Sequence, residues 1–324
     1  MALAQRQRLG GLHETAGAVG VFLEIHSFTP SAHYGTGKAG PRRRPAMSLY
    51  WDAALRLEAP FSAADAADLE IMSDAQVQAI YRYPVKGLSP QALARTTLAP
   101  GQTVPLDRLY AIENGPTGFD PAAPSYFPKQ RFLMLMRNER LAALHTVFEE
   151  ATHTLTIHQD GAEAARGELR SPAGRLAIEA FFARFMRDEL RGPPKVLFGG
   201  GHSFSDVAKK VVSIINLASV AAVESAAGQP VNPLRFRANV YVAGWPAWRE
   251  LELVGREIGL GAARLRVVKR IVRCAATEVD PETGIRDVPV PRILMDTVGH
   301  TDCGIYAEVI GGGAVGTGDP VVTD

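Results

Sequence analysis

Short apolar or alternating runs, each soon cut off by turn residues, recur along most of this 324-residue chain. Val77–Val85, Arg108–Glu113, Arg131–Met136 and His153–His158 are of this kind, as are Val211–Asn216, Leu234–Val242, Arg264–Arg273 and Gly304–Ile310. Runs of this length and composition predict β-strands. Few segments carry helical spacing. In Asn138–Glu150, Leu141, Leu144 and Phe148 share one helical face, and Gly174–Leu190 is amphipathic and closed by Gly192-Pro193-Pro194. A further helix is predicted from Leu217, with Asn216 as N-cap and Gly228 at the C-terminal cap. Many short strands with few helices between them favour barrels over alternating βα units. The expected fold class is α+β, mainly β.

Strongly patterned sequence begins only after Met72. Before it Pro, Gly, Ala and Arg dominate, most of all in Gly35–Pro45, while Glu14, Glu24 and the acidic Asp65, Asp68 and Glu70 do not suit a presequence. Residues 1–71 are therefore expected to be a disordered extension or a misassigned start. Residues 72–190 read as a first domain and 191–324 as a second, with the Gly-Pro-Pro at the break. With 46% hydrophobic and 21% charged residues the composition is that of a soluble globular protein. A formal net charge of +1 provides no global field for a nucleic-acid polymer or an anionic membrane. The two cysteines, Cys274 and Cys303, make no disulfide framework and suit a reducing compartment. No stretch approaches the roughly 20 apolar residues of a membrane helix. The expected setting is cytoplasmic.

The chain has no H-E-x-x-H, C-x-x-C, Walker A or dinucleotide fingerprint. The glycine triplets Gly199–Gly201 and Gly311–Gly313 lack phosphate-loop spacing and read as turns. The histidines show no ligand spacing; His202 and His300, beside loop glycines, are the two placed to line a site. What recurs instead is a basic or polar residue where a strand meets a turn. Lys86 follows Pro84, Arg108 opens a strand, and Ser213 lies inside one. Arg237 and Asn239 alternate with Phe236, Ala238 and Val240, and by the two-residue period share a strand face. That face is either solvated or a seat for phosphate or an extended polar cofactor, since buried and unpartnered it would be costly. Cys274 follows an apolar run and precedes a polar turn, with Arg270 and Arg273 nearby to favour the thiolate. Soft-metal coordination, persulfide carriage and nucleophilic attack each require that form; the plain alternative is a small hydrophobe at a strand end. Cys303 leads into an apolar strand and reads as packing.

Taken together these residues resemble a known family. "YRYPVKG" followed by "DRLYAIE" resembles the domain that precedes MOSC domains, and "FRANVYV", "RCAATEVDPETG" and "VGTGDPV" resemble the MOSC domain shared with molybdenum cofactor sulfurases. The resemblance runs from about Ala75 to the C-terminus, with the motifs in family order. It implies a β-barrel MOSC domain packed with a smaller β-rich N-terminal domain. It also implies a molybdenum-pyranopterin cofactor whose metal is ligated by Cys274, the catalytic residue. Lys86, Arg108, Arg237 and Asn239 match cofactor-binding positions, Ser213 matches one less directly, and Arg273 joins them beside the cysteine. Phe204 and Asp206 match an F-x-D motif that lines the site. The chain departs from the family at Gly87, where relatives commonly have Ser, at Ala238, often Pro, and at Glu278, often Thr.

The nearest functional relatives so implied are amidoxime-reducing proteins, so the expected reaction is a two-electron reduction of an N-hydroxylated compound to amine and water. The chain stops at Asp324 without the cysteine-rich ferredoxin domain of some relatives, so an external flavin or iron–sulfur protein is the expected electron donor. Asp206 and His300 are the candidate proton donors. The alternative is a sulfur carrier or cofactor-maturation protein using a Cys274 persulfide; a third reading is cofactor binding without turnover.

Overall fold

The computed structural model describes residues 75–323, and the expectation for residues 1–71 lies outside them. In chain order come β1 (Gln76–Arg82), β2 (Gln91–Leu93), β3 (Arg95–Leu98), β4 (Tyr110–Glu113), β5 (His145–Glu149), β6 (Thr154–Gln159), β7 (Ala162–Glu168) and helix α1 (Pro172–Phe185). Then follow β8 (Lys195–Phe198), β9 (Val212–Asn216), α2 (Leu217–Ala227), β10 (Val240–Ala243), β11 (Glu257–Leu260) and β12 (Ala263–Val272). The last elements are α3 (Val290–Val298), β13 (Asp302–Gly311), β14 (Gly313–Gly316) and β15 (Val321–Thr323). The fold is α+β and mainly β. Among the described residues no helix is long and apolar enough to cross a membrane.

Eight strands form one curled sheet in the order β15-β11-β12-β13-β9-β10-β1-β2. Its pairs are antiparallel except β9 with β10, which α2 joins as the crossover that a parallel pair requires. Alternation along β9 assigns its residues to different cores. Ile214 packs with Val240, Leu265 and Ile305, whereas Ile215 joins Val220 of α2 and Leu294 of α3. The N-terminal segment is woven into this frame. β1 and β2 belong to the large sheet, β3 pairs with β14, and β8, beyond the Gly-Pro-Pro, pairs back with β4. A smaller core gathers Val85, Tyr110, Phe148, Ile157 and Phe182 around α1 and the sheet β5-β6-β7.

Three local expectations are corrected. Asn138–Glu150 is not a helix: a 3₁₀ turn over Glu139–Ala143 leads into β5. Leu141, Leu144 and Phe148 are buried as expected, but Thr146, Val147 and Phe148 are strand formers and pair with β6. Arg131–Met136 forms no strand. Phe132 to Leu135 are buried in succession, leaving no alternate face, and only Phe132 bridges to Glu113. The helix expected over Gly174–Leu190 is α1, which starts earlier because Ser171 caps it, accepting from Gly174 N at 3.0 Å. The N-cap Asn216 and the left-handed Gly228 of α2 stand as expected.

Glu250 ties these layers together from a fully buried position. Its carboxylate accepts from Asn216 Nδ2 (3.1 Å), Ser219 Oγ (2.8 Å) and Gly304 N (3.3 Å), which lie on β9, α2 and β13. Glu250→Ala leaves Ser219 Oγ and Gly304 N without this acceptor, while Asn216 Nδ2 keeps Pro246 O (2.7 Å), and is expected to lower stability by about 3 kcal/mol. Burial pushes the Glu250 carboxyl above the ordinary glutamate value. The native state then holds its proton longer than the unfolded chain, so this contribution falls as pH rises from the unfolded value, about 4.3, through the raised one. Glu250→Gln should remove that decline, read as urea midpoints between about pH 4 and 7.

Candidate functional site

The expected site residues Lys86, Arg108, Ser213, Arg237, Asn239, Arg273 and Cys274 all line one cavity of about 340 Å³. Asp206 lines it too. The two histidines do not: His300 Nδ1 accepts from Asp302 N (3.1 Å), and His202 packs on the rings of Phe119 and Phe204. Eight lining residues are basic and two, Asp107 and Asp206, are acidic. In a chain of formal net charge +1 this is a strong local concentration of positive charge.

The wall nearest β1 is a stack of cations and one aromatic ring. Arg108 and Arg237 each lie 4.3 Å from the centroid of the buried Tyr83 ring. Arg108 also pairs with Asp107 (2.5 Å) and donates to Arg237 O (2.8 Å). The shared strand face expected for Arg237 and Asn239 is not formed. Pro233–Phe236 is a 3₁₀ turn closed by Arg237 in the left-handed region (φ 51°), and β10 begins only at Val240. Pro233 starts the turn and Asn232 caps it, accepting from Leu234 N at 3.0 Å, so the local signal is a turn and not a strand. The Arg237 guanidinium makes no hydrogen bond or ion pair among the described residues. Asn239 is committed to the framework. Its Oδ1 accepts from Ser213 N (3.1 Å) and Oγ (2.8 Å), and its Nδ2 donates to Tyr81 O (3.1 Å).

Lys86 is buried, donates to Phe204 O (2.9 Å) and pairs with Asp206. Gly87 follows with φ +83°, and a Cβ there would lie 3.2 Å from Leu133 O. The departure at this position thus matches a backbone that only glycine adopts readily. Burial pushes the Lys86 pKa down, against the pull of Asp206. The partial burial of Asp206 would raise its own pKa, but Lys86 and Lys129 outweigh it and hold the carboxyl far below the usual range.

Arg273 is buried, with Nε donating to Cys303 O (2.6 Å) and Nη1 to Phe236 O (2.9 Å), while Nη2 has no partner among the described residues. Gly304 makes room for it: at φ +81°, a Cβ there would lie 2.8 Å from Nη2 and 2.6 Å from Ile214 O. The β12–β13 register steps from Arg270/Ile305 to Val272/Asp302, a bulge with one extra residue on β13.

Cys274 lies two residues past the end of β12 and caps a 3₁₀ turn over Ala275–Glu278, where its carbonyl accepts from Thr277 N and Oγ1, each at 2.9 Å. Its thiol is half-buried, and Cys303 is fully buried between α2 and α3. The two arginines expected to act on the Cys274 thiol have other partners, since Arg270 Nε donates to Leu251 O (3.0 Å). The cation at the sulfur is Lys129, with Nζ 3.4 Å from Sγ. Sequence reasoning missed it, because Lys129 precedes a run read as a strand and stands 145 positions from the cysteine. Arg286 clamps the cysteine turn to the N-terminal segment, donating to Ala275 O (2.6 Å), Met136 O (2.9 Å) and Glu139 Oε2 (3.1 Å).

Two family models match the chain: the MOSC N-terminal beta barrel domain over residues 74–190 and the MOSC domain over residues 198–322. The chain belongs to the MOSC family. The solved structures similar to it include two proteins. The YUAD protein from Bacillus subtilis is 15% identical with a TM-score of 0.37, covering 76% of this chain and 93% of its own. YiiM from Geobacillus stearothermophilus is 18% identical with a TM-score of 0.28, covering 35% of this chain and 53% of its own. No curated protein matches. MOSC domains are associated with binding of the molybdenum cofactor. The cavity of this MOSC protein fits such an anionic group, because a buried guanidinium nitrogen without a partner and an unpaired guanidinium lie around it with a thiol.

The two thiols differ in a way that can be read directly. Burial pushes the Cys303 thiol up to about 12, while Cys274 opens onto the cavity. Native, ligand-free protein treated with iodoacetamide near neutral pH should gain one adduct per chain, located at Cys274 by peptide mass spectrometry. Cys274→Ser should gain none until it is unfolded.

Proposed function

We propose that this chain binds a molybdenum–pyranopterin cofactor and reduces N-hydroxylated compounds: R–NHOH with two electrons and two protons gives R–NH₂ and water. One observation carries the reading: within a MOSC cavity, the unpartnered Arg273 Nη2 and the unpaired Arg237 guanidinium share a wall system with the Cys274 thiol. Cys274 is the protein's soft ligand to the metal.

Arg237 and Arg273 bind the anionic oxygens of the cofactor, and Lys86 and Arg108 add charge from the N-terminal segment. Ser213 and Asn239 brace the wall, and Asn239 keeps one amide hydrogen to offer. When bound, the cofactor supplies two-electron redox chemistry and Lewis acidity. Asp206 stays ionised near neutral pH, so it acts as a charge partner and not as the proton donor. His300 lies outside the cavity lining and is not the donor either. Electrons come from a separate flavin or iron–sulfur protein, since two cysteines, one half-buried and one buried, are too few for a four-cysteine cluster. A cytoplasmic setting keeps both thiols reduced.

A half-buried thiol beside an ammonium is also a seat for a persulfide, so sulfur carriage is the rival. Metal analysis separates the two. The protein purified from a host that makes the cofactor should hold stoichiometric molybdenum and pterin. It should turn over an amidoxime anaerobically with reduced viologen and not with NADH, and Cys274→Ser should lose turnover while keeping its melting temperature. Metal-free protein with labile sulfur on Cys274 would establish the carrier instead. Arg237→Ala removes a charge-assisted bond of about 1.5–3 kcal/mol, so pterin affinity should fall about tenfold or more, measured after gel filtration. Full retention would remove Arg237 from the binding set.

A further inference from the structure

We infer that Lys129 is a positioning residue for Cys274: its ammonium, held by Asp206, donates a hydrogen bond to the sulfur and raises the reduction potential of the centre built on it. This rests on the reductase reading above. Lys129 Nζ lies 3.4 Å from Cys274 Sγ and 3.4 Å from Asp206 Oδ2, so two of its three donors have defined acceptors. The other carboxylate oxygen of Asp206 is paired with Lys86, which leaves Oδ2 to Lys129.

The lysine does not hang from a loose loop. It opens the 3₁₀ turn Lys129–Arg131, after which Phe132 bridges to Glu113 and packs edge-on against Phe204 at 5.5 Å. Ahead of it, Tyr126 Oη donates to Asp206 O (3.2 Å). The segment is therefore fastened on both sides of Lys129 to the same short stretch that presents Asp206. A cationic donor on a thiolate draws electron density from the sulfur and favours whichever state of the site carries more negative charge, the reduced one. Hydrogen bonds to ligand sulfur are a recognised control on potential in thiolate-held centres. The N-terminal segment thus contributes to the redox behaviour of a thiol in the C-terminal half, as well as to its charge.

The test compares molybdenum-loaded wild type, Lys129→Met and Lys129→Arg by redox titration followed by paramagnetic resonance of the five-valent metal. Lys129→Met should shift the midpoint potential downward at unchanged molybdenum and pterin content, and Lys129→Arg should restore most of the shift. An unshifted Lys129→Met at full loading overturns the inference; Lys129→Gln serves if the Met variant does not fold. In metal-free protein, the ¹⁵N signal of the Lys129 ammonium should move on Cys274→Ser, and a signal that does not respond overturns the contact. Protein that takes up no molybdenum defeats the reductase reading and the claim on potential with it, while the nitrogen signal still decides the contact separately.

Discussion

The antiparallel pairing of β1 with β10 is the contact on which the site depends. Ile80 sits opposite Val240, and at the end of the pair Tyr81 N donates to Asn239 O (2.7 Å) while Asn239 Nδ2 donates to Tyr81 O (3.1 Å). That closure places Tyr83 under the turn that ends at Arg237, so Arg237 and Arg108 meet at one aromatic ring. The same Asn239 anchors Ser213 on β9. Loss of this register would move Lys86 and Arg108 away from Arg237 and Arg273, because the first two belong to the N-terminal segment and the others to the C-terminal one. The cavity is therefore a property of the joined sheet and not of either sequence half.

Charge in the cavity is balanced only in part. Asp107 answers Arg108, and Arg235, although it lines the cavity, is neutralised by Asp280 and Asp287. Asp206 is shared between Lys86 and Lys129. Among the described residues Arg237 and the free nitrogen of Arg273 have no anionic partner, Arg237 has only the Tyr83 ring at 4.3 Å, and Lys269 only the Tyr306 ring at 5.6 Å. Like charges confined this closely repel, and burial pushes the Arg237 pKa down, helped by Arg108. An anion of several charges relieves this strain at once. A neutral ligand of the same size leaves it in place, which is why the electrostatics favour a phosphate-bearing group over an apolar one.

How much of this was legible in the sequence follows from the range of each signal. Lys86, Arg108, Arg273 and Cys274 stand where a strand meets a turn, and Arg237 and Asn239 were picked out by period-two alternation, while the resemblance to a family set their order. Their gathering into one cavity was carried by that resemblance alone. The geometry around Arg237 was misread because the alternation of Phe236, Ala238 and Val240 persists through a turn that Asn232 and Pro233 had already begun. Period two was present, but the backbone had turned left-handed. The helix expected at Asn138–Glu150 failed for the converse reason: the spacing of Leu141, Leu144 and Phe148 also satisfies a turn followed by a strand over one core. Lys129 and Arg286 were invisible because their partners lie about 150 residues away, and no local pattern encodes a contact of that range.

Arg273 brings a buried donor without a partner among the described residues to the cavity wall. An unpartnered buried donor costs on the order of 1–3 kcal/mol, a cost that most native folds avoid. Here it coincides with a second local irregularity, the β13 bulge at a left-handed Gly304. The two features serve one geometry: an unbulged strand with a Cβ at that position would drive Arg273 Nη2 from where it lies. The backbone is bent, and the one residue without a side chain is used, to hold a guanidinium whose third nitrogen faces no protein acceptor. Arg273 already reaches Cys303 and Phe236 through Nε and Nη1. Nη2 has no acceptor among the described residues, so an anion that reached it would offset a cost the fold already carries.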